Sequence, residues 1–335
     1  MTSTPMISRR AWVWCAALAC VTTNGWAQAT AQPPIKILVG APAGGTTDTM
    51  ARTLAQVLGS QLGRTVVVEN KPGAGGNLAA DAVAKPAREV IDVNFSLGKW
   101  PGRELPKLGP VELQAKGITH AITGTFEALL ARDLTTVNAQ LAEACAKSGG
   151  RLIPAGSVNP LLPSWRAEMK RCRDQHGIKV IRVHPGCHGY ALSDAVFEEL
   201  LGEATRAGLA LQLVAQIEDV RTQHPFWRTR AVDLAPLSGL LERHPQARVM
   251  VLNANAAMFS TALRECSSVW ADLAMLEGVG GVETLLQSWP REKLCLGTHA
   301  PFFYPEAGLL KIAESALAEK LEAQVTASNA RRFLG

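Results

Sequence analysis

The side chains of this chain best suited to move protons near neutral pH are its seven histidines, because an imidazole titrates there and an amide does not. His299 stands just past the apolar run Lys293 to Thr298, and His184 closes the run Lys179 to His184. These two are the candidate acid–base residues; the alternative for His299 is a buried imidazole bonded to backbone. His188 completes the stretch His184-Pro185-Gly186-Cys187-His188, which reads either as a compact ligand set for a soft metal or, more plainly, as a Pro-Gly turn. Amides end other apolar runs, with Asn94 beside Ser96, then Gln216, and Asn253 beside Asn255. An amide presents a donor and an acceptor, so Asn94, Gln216 and Asn253, with His188, are candidates for orienting a polar ligand. Glu218, Asp219 and Arg221 read as a local ion-pair network before they read as catalytic carboxylates.

Two glycine-rich stretches offer a different chemistry. Ala43-Gly44-Gly45-Thr46-Thr47-Asp48 and Pro72-Gly73-Ala74-Gly75-Gly76-Asn77 each precede a helical pattern. The first N–H groups of a helix lack intrahelical partners, so both turns could offer backbone donors to an anionic ligand. A tight strand-to-helix turn explains the same glycines.

The elements that must position these residues repeat along most of the chain. Val90 to Phe95, Ile118 to Thr123, Arg151 to Ser157, Lys179 to His184, Leu209 to Gln216, Ala247 to Leu252, Val269 to Met275 and Lys293 to Thr298 read as strands. Helical patterns such as Leu134 to Lys147, Pro163 to Gln175 and Asp194 to Ala207 lie between them. Eight strand–helix units over residues 89–335 have the arithmetic of a (β/α)8 TIM-type barrel, which takes about 250 residues and carries its functional groups at the strand C-termini. An open doubly wound sheet would show a glycine-rich first turn, and Ile91-Asp92-Val93-Asn94-Phe95-Ser96 leads into none. Ahead of the barrel, Ile35 to Val39 and Val66 to Val68 are two strands with one helix between them, Thr49 to Leu62, and a second beginning at Leu78. The fold class is therefore α/β, a barrel preceded by a short incomplete α/β fragment.

Composition narrows the partners. Lys and Arg exceed Asp and Glu by 34 to 29 without a basic block, which leaves no nucleic-acid footprint; a small-molecule substrate is the expected partner. Seven cysteines without a CxxC pair indicate neither a disulfide framework nor a thiolate zinc site. Arg9 and Arg10, the apolar run Ala11 to Val21 and the small residues of Ala27-Gln28-Ala29 form a secretory signal peptide. That run is too short for a membrane span, so no stable membrane anchor is expected and the chain reads as periplasmic or secreted.

Two resemblances cover different parts of the chain. Residues 35–85, with PAGGTTDTMARTLAQ and VVVENKPGAGGNLAADAVAK, resemble the start of the Bug-type substrate-binding receptors of tripartite tricarboxylate transporters. The resemblance implies that both glycine loops contact a carboxylate-bearing solute, here through Gly44, Gly45, Asp48 and Gly73, but it ends near Pro86, where a complete receptor has two lobes. Residues 90–334 resemble the amidohydrolase-related metal-dependent hydrolases of the TIM-barrel type, through IDVNFSLGKWP, IRVHPGCHGYALSD, LVAQIEDVRTQHP, AMLEGVGG and LGTHAPFFYPEAGLLK. That family implies a divalent metal bound by His-x-His after strand one, histidines after strands five and six, and an aspartate after strand eight. The corresponding residues here are Asn94 and Ser96, Gln216, Asn253 or Asn255, and His299, so no metal ligand set is assigned. The expected organisation is a signal peptide 1–29, a truncated receptor fragment 30–88 and a barrel 89–335, joined without a linker as a fusion. The expected function is hydrolysis of a small amide, lactone or carboxylated ring compound. Its alternatives are a periplasmic solute-binding protein or a barrel that holds a ligand without turnover.

Overall fold

The computed structural model describes residues 34–77, 79, 88–101, 104–219, 221–224, 227–266 and 268–335. The signal segment 1–29 and most of the helix expected from Leu78 to Ala84 lie outside them. The chain divides into two compact units, Met1–Lys85 and Pro86–Gly335.

In the first unit β1 (Ile35–Val39) runs parallel to β2 (Val66–Asn70), with Ile35 opposite Val66. Parallel strands need a crossover, and α1 (Thr46–Leu62) supplies it, ending at Gly63 in the left-handed conformation. Ala51 and Ala55 of α1 are buried, whereas Met50, Leu54 and Val57 stay exposed. Small side chains on the inner face let the helix lie close to the strands.

The second unit is a barrel. Its strands are β3 (Ile91–Leu97), β4 (His120–Thr125), β5 (Leu152–Ser157), β6 (Val180–Val183), β7 (Ala210–Val214), β8 (Val249–Leu252), β9 (Trp270–Asp272) and β10 (Leu294–Cys295). All neighbours pair in parallel and in chain order. Closure comes from the first and last strands, where Val93 N–H donates to Leu296 O at 2.9 Å and Ser96 N–H to Ala300 O at 2.9 Å. The helices are α2 (Pro110–Ala115), α3 (Leu134–Ala146), α4 (Trp165–Asp174), the single turn α5 (Pro185–His188), α6 (Ala195–Arg206), α7 (Leu237–Arg243), α8 (Ala256–Ser260), α9 (Gly281–Leu286), α10 (Pro305–Glu314), α11 (Glu319–Ala323) and α12 (Asn329–Leu334).

Alternation along the strands sorts side chains between two layers. Ile181, Val183, Leu211, Leu213, Val249 and Val251 join the layer beneath the helices, while Val180, Ala210, Val214, Met250 and Leu252 fill the barrel interior. Phe333 and Ala330 of α12 extend that interior cluster, and Phe333 meets the Trp270 ring edge-on. The ladders are shorter than the apolar runs, β9 by four residues and β10 by four, because side chains rather than ladder bonds hold the strand ends. One sequence expectation needs correcting. Asn94 and Ser96 do not follow the first strand but lie within β3, whose register shifts between Asp92 and Phe95 and turns successive polar side chains inward.

Midway along the interior sits Arg182 of β6, 2% exposed and hydrogen-bonded through every N–H. Nε donates to Gln212 Oε1 at 2.9 Å, Nη1 to Phe95 O and Ser96 Oγ, and Nη2 to Val93 O and Ile122 O. One guanidinium thus ties β6 to β3, β4 and β7. We expect Arg182→Met to lower the unfolding free energy by about 3–5 kcal/mol, since it leaves buried acceptors unpaired. Denaturant unfolding checks this; a loss below about 1 kcal/mol would mean the carbonyls find other donors.

Candidate functional site

At the C-terminal ends of the strands the inward polar side chains close into one hydrogen-bonded knot. Asn94 Nδ2 donates to Asn253 Oδ1 at 2.7 Å and to Asp272 Oδ2 at 2.6 Å. Asn253 N–H donates to Asp272 Oδ1 at 2.8 Å, and Asn253 Nδ2 to Gln216 O at 2.9 Å. Asp92, fully buried, accepts from the N–H groups of Asn94 and Thr298 and from the Thr298 hydroxyl. A carboxylate and a carbonyl accept only, so they orient both amides: Asn94 must turn its NH2 inward, and Asn253 must present its oxygen to Asn94.

Burial dominates the electrostatics here. It pushes the Asp272 carboxyl up to about 6, helped by the charge of Asp92 and opposed by the Asn253 N–H, the Asn94 amide and Lys311. Asp92 is raised by the same cause, against its donors from Thr298 and Asn94 and the charge of Arg182. Two residues at strand ends carry strained backbone, Asn253 at φ 61° and His299 at φ 55°. A non-glycine residue is rarely held in that region, and contacts on all sides are needed to keep it there.

His299 has both ring nitrogens engaged. Nε2 lies 2.9 Å from Ile217 O and Nδ1 lies 3.5 Å from Asn253 Nδ2, which fits the neutral ring with its proton on Nε2. Aromatic rings enclose it, Phe302 at 4.9 Å, Phe303 at 5.5 Å, Trp100 at 6.3 Å and Phe126 at 6.4 Å between centroids. Trp100 rides on the loop after β3, where Lys99 N–H donates to Glu127 Oε1 at 3.1 Å. The Glu127 carboxylate fills the place a Cβ at Gly98 would take.

The other expected residues are distributed around this knot. Gln216, whose Nε2 contacts Met275 Sδ at 3.0 Å, lines an open cleft of about 500 Å³ with Asn255, Met275, Glu277 and Phe303. Asp219 and Arg221 form the expected ion pair on the loop after β7, and the hydrogen bonds from Arg221 pull the Asp219 carboxyl down to about 2. His184 is buried at the end of β6, and burial, with the charges of His188, Arg182 and His299, pushes its pKa well below the usual imidazole value. His188 Nε2 meets Ala128 O at 3.0 Å. Asp92, Arg182 and Gln212 were not among the expected site residues; a charged or amide residue between apolar neighbours in a strand, as in Val180-Ile181-Arg182-Val183, is the signal that marks them. In the first unit Asp48 turns back on its own loop, accepting from Gly44 N–H at 2.8 Å and Arg52 Nε at 2.9 Å. The Arg52 bond, then the Gly44 N–H, lowers its carboxyl to about 2. Gly73 closes a turn by accepting from Gly76 N–H at 3.0 Å.

These residues do not fit the divalent metal that the barrel family implies. The space between Asn253 and Asp272 is taken by the Asn94 NH2, whose two donor hydrogens point where a cation would need lone pairs. Among the described residues no group of three or more His, Cys, Asp or Glu is placed to hold an ion.

Comparison with known proteins agrees with the barrel. A family model described as amidohydrolase matches residues 106–335. The chain belongs to the amidohydrolase family. Among solved structures it is similar to 5-carboxyvanillate decarboxylase from Sphingomonas paucimobilis, with TM-score 0.59 and 14% identity over 74% of this chain and 99% of that one. It is also similar to 2,6-dihydroxybenzoate decarboxylase from Rhizobium, with TM-score 0.56 and 13% identity over 74% and 98%. A dihydroxybenzoic acid decarboxylase from Polaromonas, solved with bound manganese and 2-nitroresorcinol, matches at TM-score 0.57 and 13% identity over 74% and 97%. At such identities these likenesses carry the fold alone. The N-terminal region of this chain is similar to Protein BugT of Bordetella pertussis, 46% identical over 68 residues, or 20% of this chain and 21% of that protein. A UPF0065 protein of Agrobacterium vitis is 54% identical over 52 residues, 16% of this chain and 15% of its own length. The chain spans about a fifth of the length of the curated relatives it matches. Among the described residues no helix is long and apolar enough to cross a membrane.

Asp272 makes stability pH-dependent in a stated direction. Its folded pKa of about 6 lies above the usual unfolded value, so the folded chain holds the proton more tightly. The contribution is full below about pH 4 and lost as pH rises through 6. The unfolding free energy of the native chain, measured against Asp272→Asn, should fall by about 3 kcal/mol between pH 4 and 7; a flat difference would show the carboxyl ionising normally.

Proposed function

We propose that the barrel mouth holds a small ring compound bearing an amide, lactone or carboxyl group, and that it does so without the metal centre of the family. The observation that carries this is the Asn94 amide bonded to both Asn253 and Asp272, where a metal-dependent hydrolase needs open ligand lone pairs. The cleft beside the knot has the volume of a small-molecule site, and its amides from Gln216 and Asn255 and its apolar wall from Met275 and Phe303 suit a polar ring. We further propose that the segment ending at Ala29 exports the chain to the periplasm or beyond, and that residues 30–88 are the remnant of a solute receptor.

Hydrolysis by imidazole is the second reading, and the strained backbone of His299 and Asn253 favours it, because such strain is kept where geometry matters to chemistry. There His299 would serve as acid and base, and its pH profile would follow the imidazole.

A thermal-shift screen over small amides, lactones and carboxylated aromatics tests the main reading. A ligand at a hundredfold excess over its Kd should stabilise the protein by about 2.7 kcal/mol. The shift should persist in chelator and vanish in Gln216→Ala with Asn255→Ala. A shift abolished by chelator in the native chain but indifferent to those two substitutions would refute it. Turnover that survives chelator and disappears in His299→Ala would select the second reading.

A further inference from the structure

The turn that follows β6 holds two polar atoms that the fold buries and leaves without a partner, Nδ1 of His184 and Nδ1 of His188. Buried nitrogen acceptors of this kind are rare in folded chains, and each calls for a missing partner. His184 precedes the first residue of α5 and His188 is its last, so the two rings stand four residues apart on one side of a helical turn. Their centroids are 5.7 Å apart with planes at 70°. Two imidazoles sharing a cation at about 2.0–2.1 Å from each nitrogen place their centroids roughly 5–6 Å apart.

The second nitrogen of His188 shows how the pair is prepared. Nε2 is 3.0 Å from the carbonyl of Ala128, so the ring carries its proton there and keeps the Nδ1 lone pair free. Histidines that bind metals are held this way, the outer N–H donating to a backbone carbonyl while the inner nitrogen faces the ion. Burial keeps both rings neutral by pushing their pKa values down. The charge of Arg182 works against a cation at this position, while the buried carboxylates Asp92 and Asp272 act on Arg182 itself.

We propose that His184 and His188 form a two-imidazole site for a nitrogen-preferring transition-metal cation, separate from the position where the amidohydrolase family places its metal. The site takes Cu2+ ahead of Zn2+, following the general order of affinity at nitrogen donors. With two protein ligands, non-protein donors complete the coordination of the ion. His184 is thereby a ligand rather than the acid–base residue its sequence position suggested.

Titration of the full-length protein with Cu2+, followed by electron paramagnetic resonance and calorimetry, tests the assignment. One equivalent should bind with nitrogen coupling from two imidazoles. His184→Ala and His188→Ala should each weaken it by no less than the roughly 10–100-fold that losing even an outer hydrogen-bond partner of a ligand costs. His188→Gln keeps a donor for Ala128 while removing the imidazole, and it should lose the same affinity with its thermal unfolding little changed. His299→Ala and Asn94→Ala should leave the affinity alone. A spectrum with one nitrogen or none, or an affinity unmoved in both histidine variants, would overturn the site. Affinity lost in His299→Ala and retained in His188→Ala would overturn it too and restore the metal to the family's position.

Discussion

The barrel depends on a charge buried where charge is costly. Arg182 sits inside a ring of parallel strands, and an unpaired guanidinium there would cost far more than the fold could spare. The structure meets that cost with five neutral acceptors on three other strands rather than with a touching carboxylate. Desolvation still tells, lowering its pKa to about 10. The same bonds fix the relative heights of β3, β4, β6 and β7, because carbonyls of Val93, Phe95 and Ile122 must all reach one planar group. Gln212 turns the arrangement into a network by accepting from Arg182 and donating to Val93 O at 2.8 Å. A rigid polar floor results, and the mouth residues stand on it.

Above that floor the strand ends form a second layer with its own logic. Asp92, Asn94, Asn253 and Asp272 satisfy each other almost completely, so what a family fold usually offers to a metal is here consumed by internal hydrogen bonds. Two carboxyl groups are tolerated because donors surround each of them and because Asp272 gives up its charge at only modestly acidic pH. The strain at Asn253 and His299 follows from the same knot. Asn253 must direct its side chain at Asn94 and Gln216 while its N–H meets Asp272, and His299 must bridge to Ile217 across the mouth.

How much of this was legible in the sequence differs by level. The eight apolar runs name the eight strands, since burial on both faces of a parallel barrel leaves a strong imprint on composition. Their ends were less legible: Ala247 to Leu252 begins two residues before β8, and Val269 to Met275 outlasts β9, because apolar side chains continue into turns that pack without pairing. The Gln216, Asn253 and His299 positions could be named from strand ends alone, but their contacts could not, and Asn94 lies inside β3. Whether an amide faces a ligand or another amide depends on strands distant in sequence, as Asn94 and Asn253 show. Arg182 and Asp92 were hidden for a related reason: a polar residue in a strand marks either face until the register is known, and the shift between Asp92 and Phe95 decides it.

The N-terminal unit obeys a different constraint, that of incompleteness. Two parallel strands and α1 bury Ala51 and Ala55 but leave Met50, Leu54 and Val57 in contact with water, an apolar row of the kind that a further layer would normally cover. Its glycine loops nevertheless keep their internal geometry. Gly40 approaches Gly76 so closely that a Cβ would lie 2.6 Å from the Gly76 Cα, and Asn70 Nδ2 reaches Ala41 O at 3.1 Å to hold the first loop against β2. Local contacts of this sort need only the neighbouring residues, which is why a unit of two strands and one crossover helix keeps them. They also use up donors: the Gly44 N–H that the first loop would present to an outside anion is already spent on Asp48, so the carboxylate that holds the loop in shape also fills it.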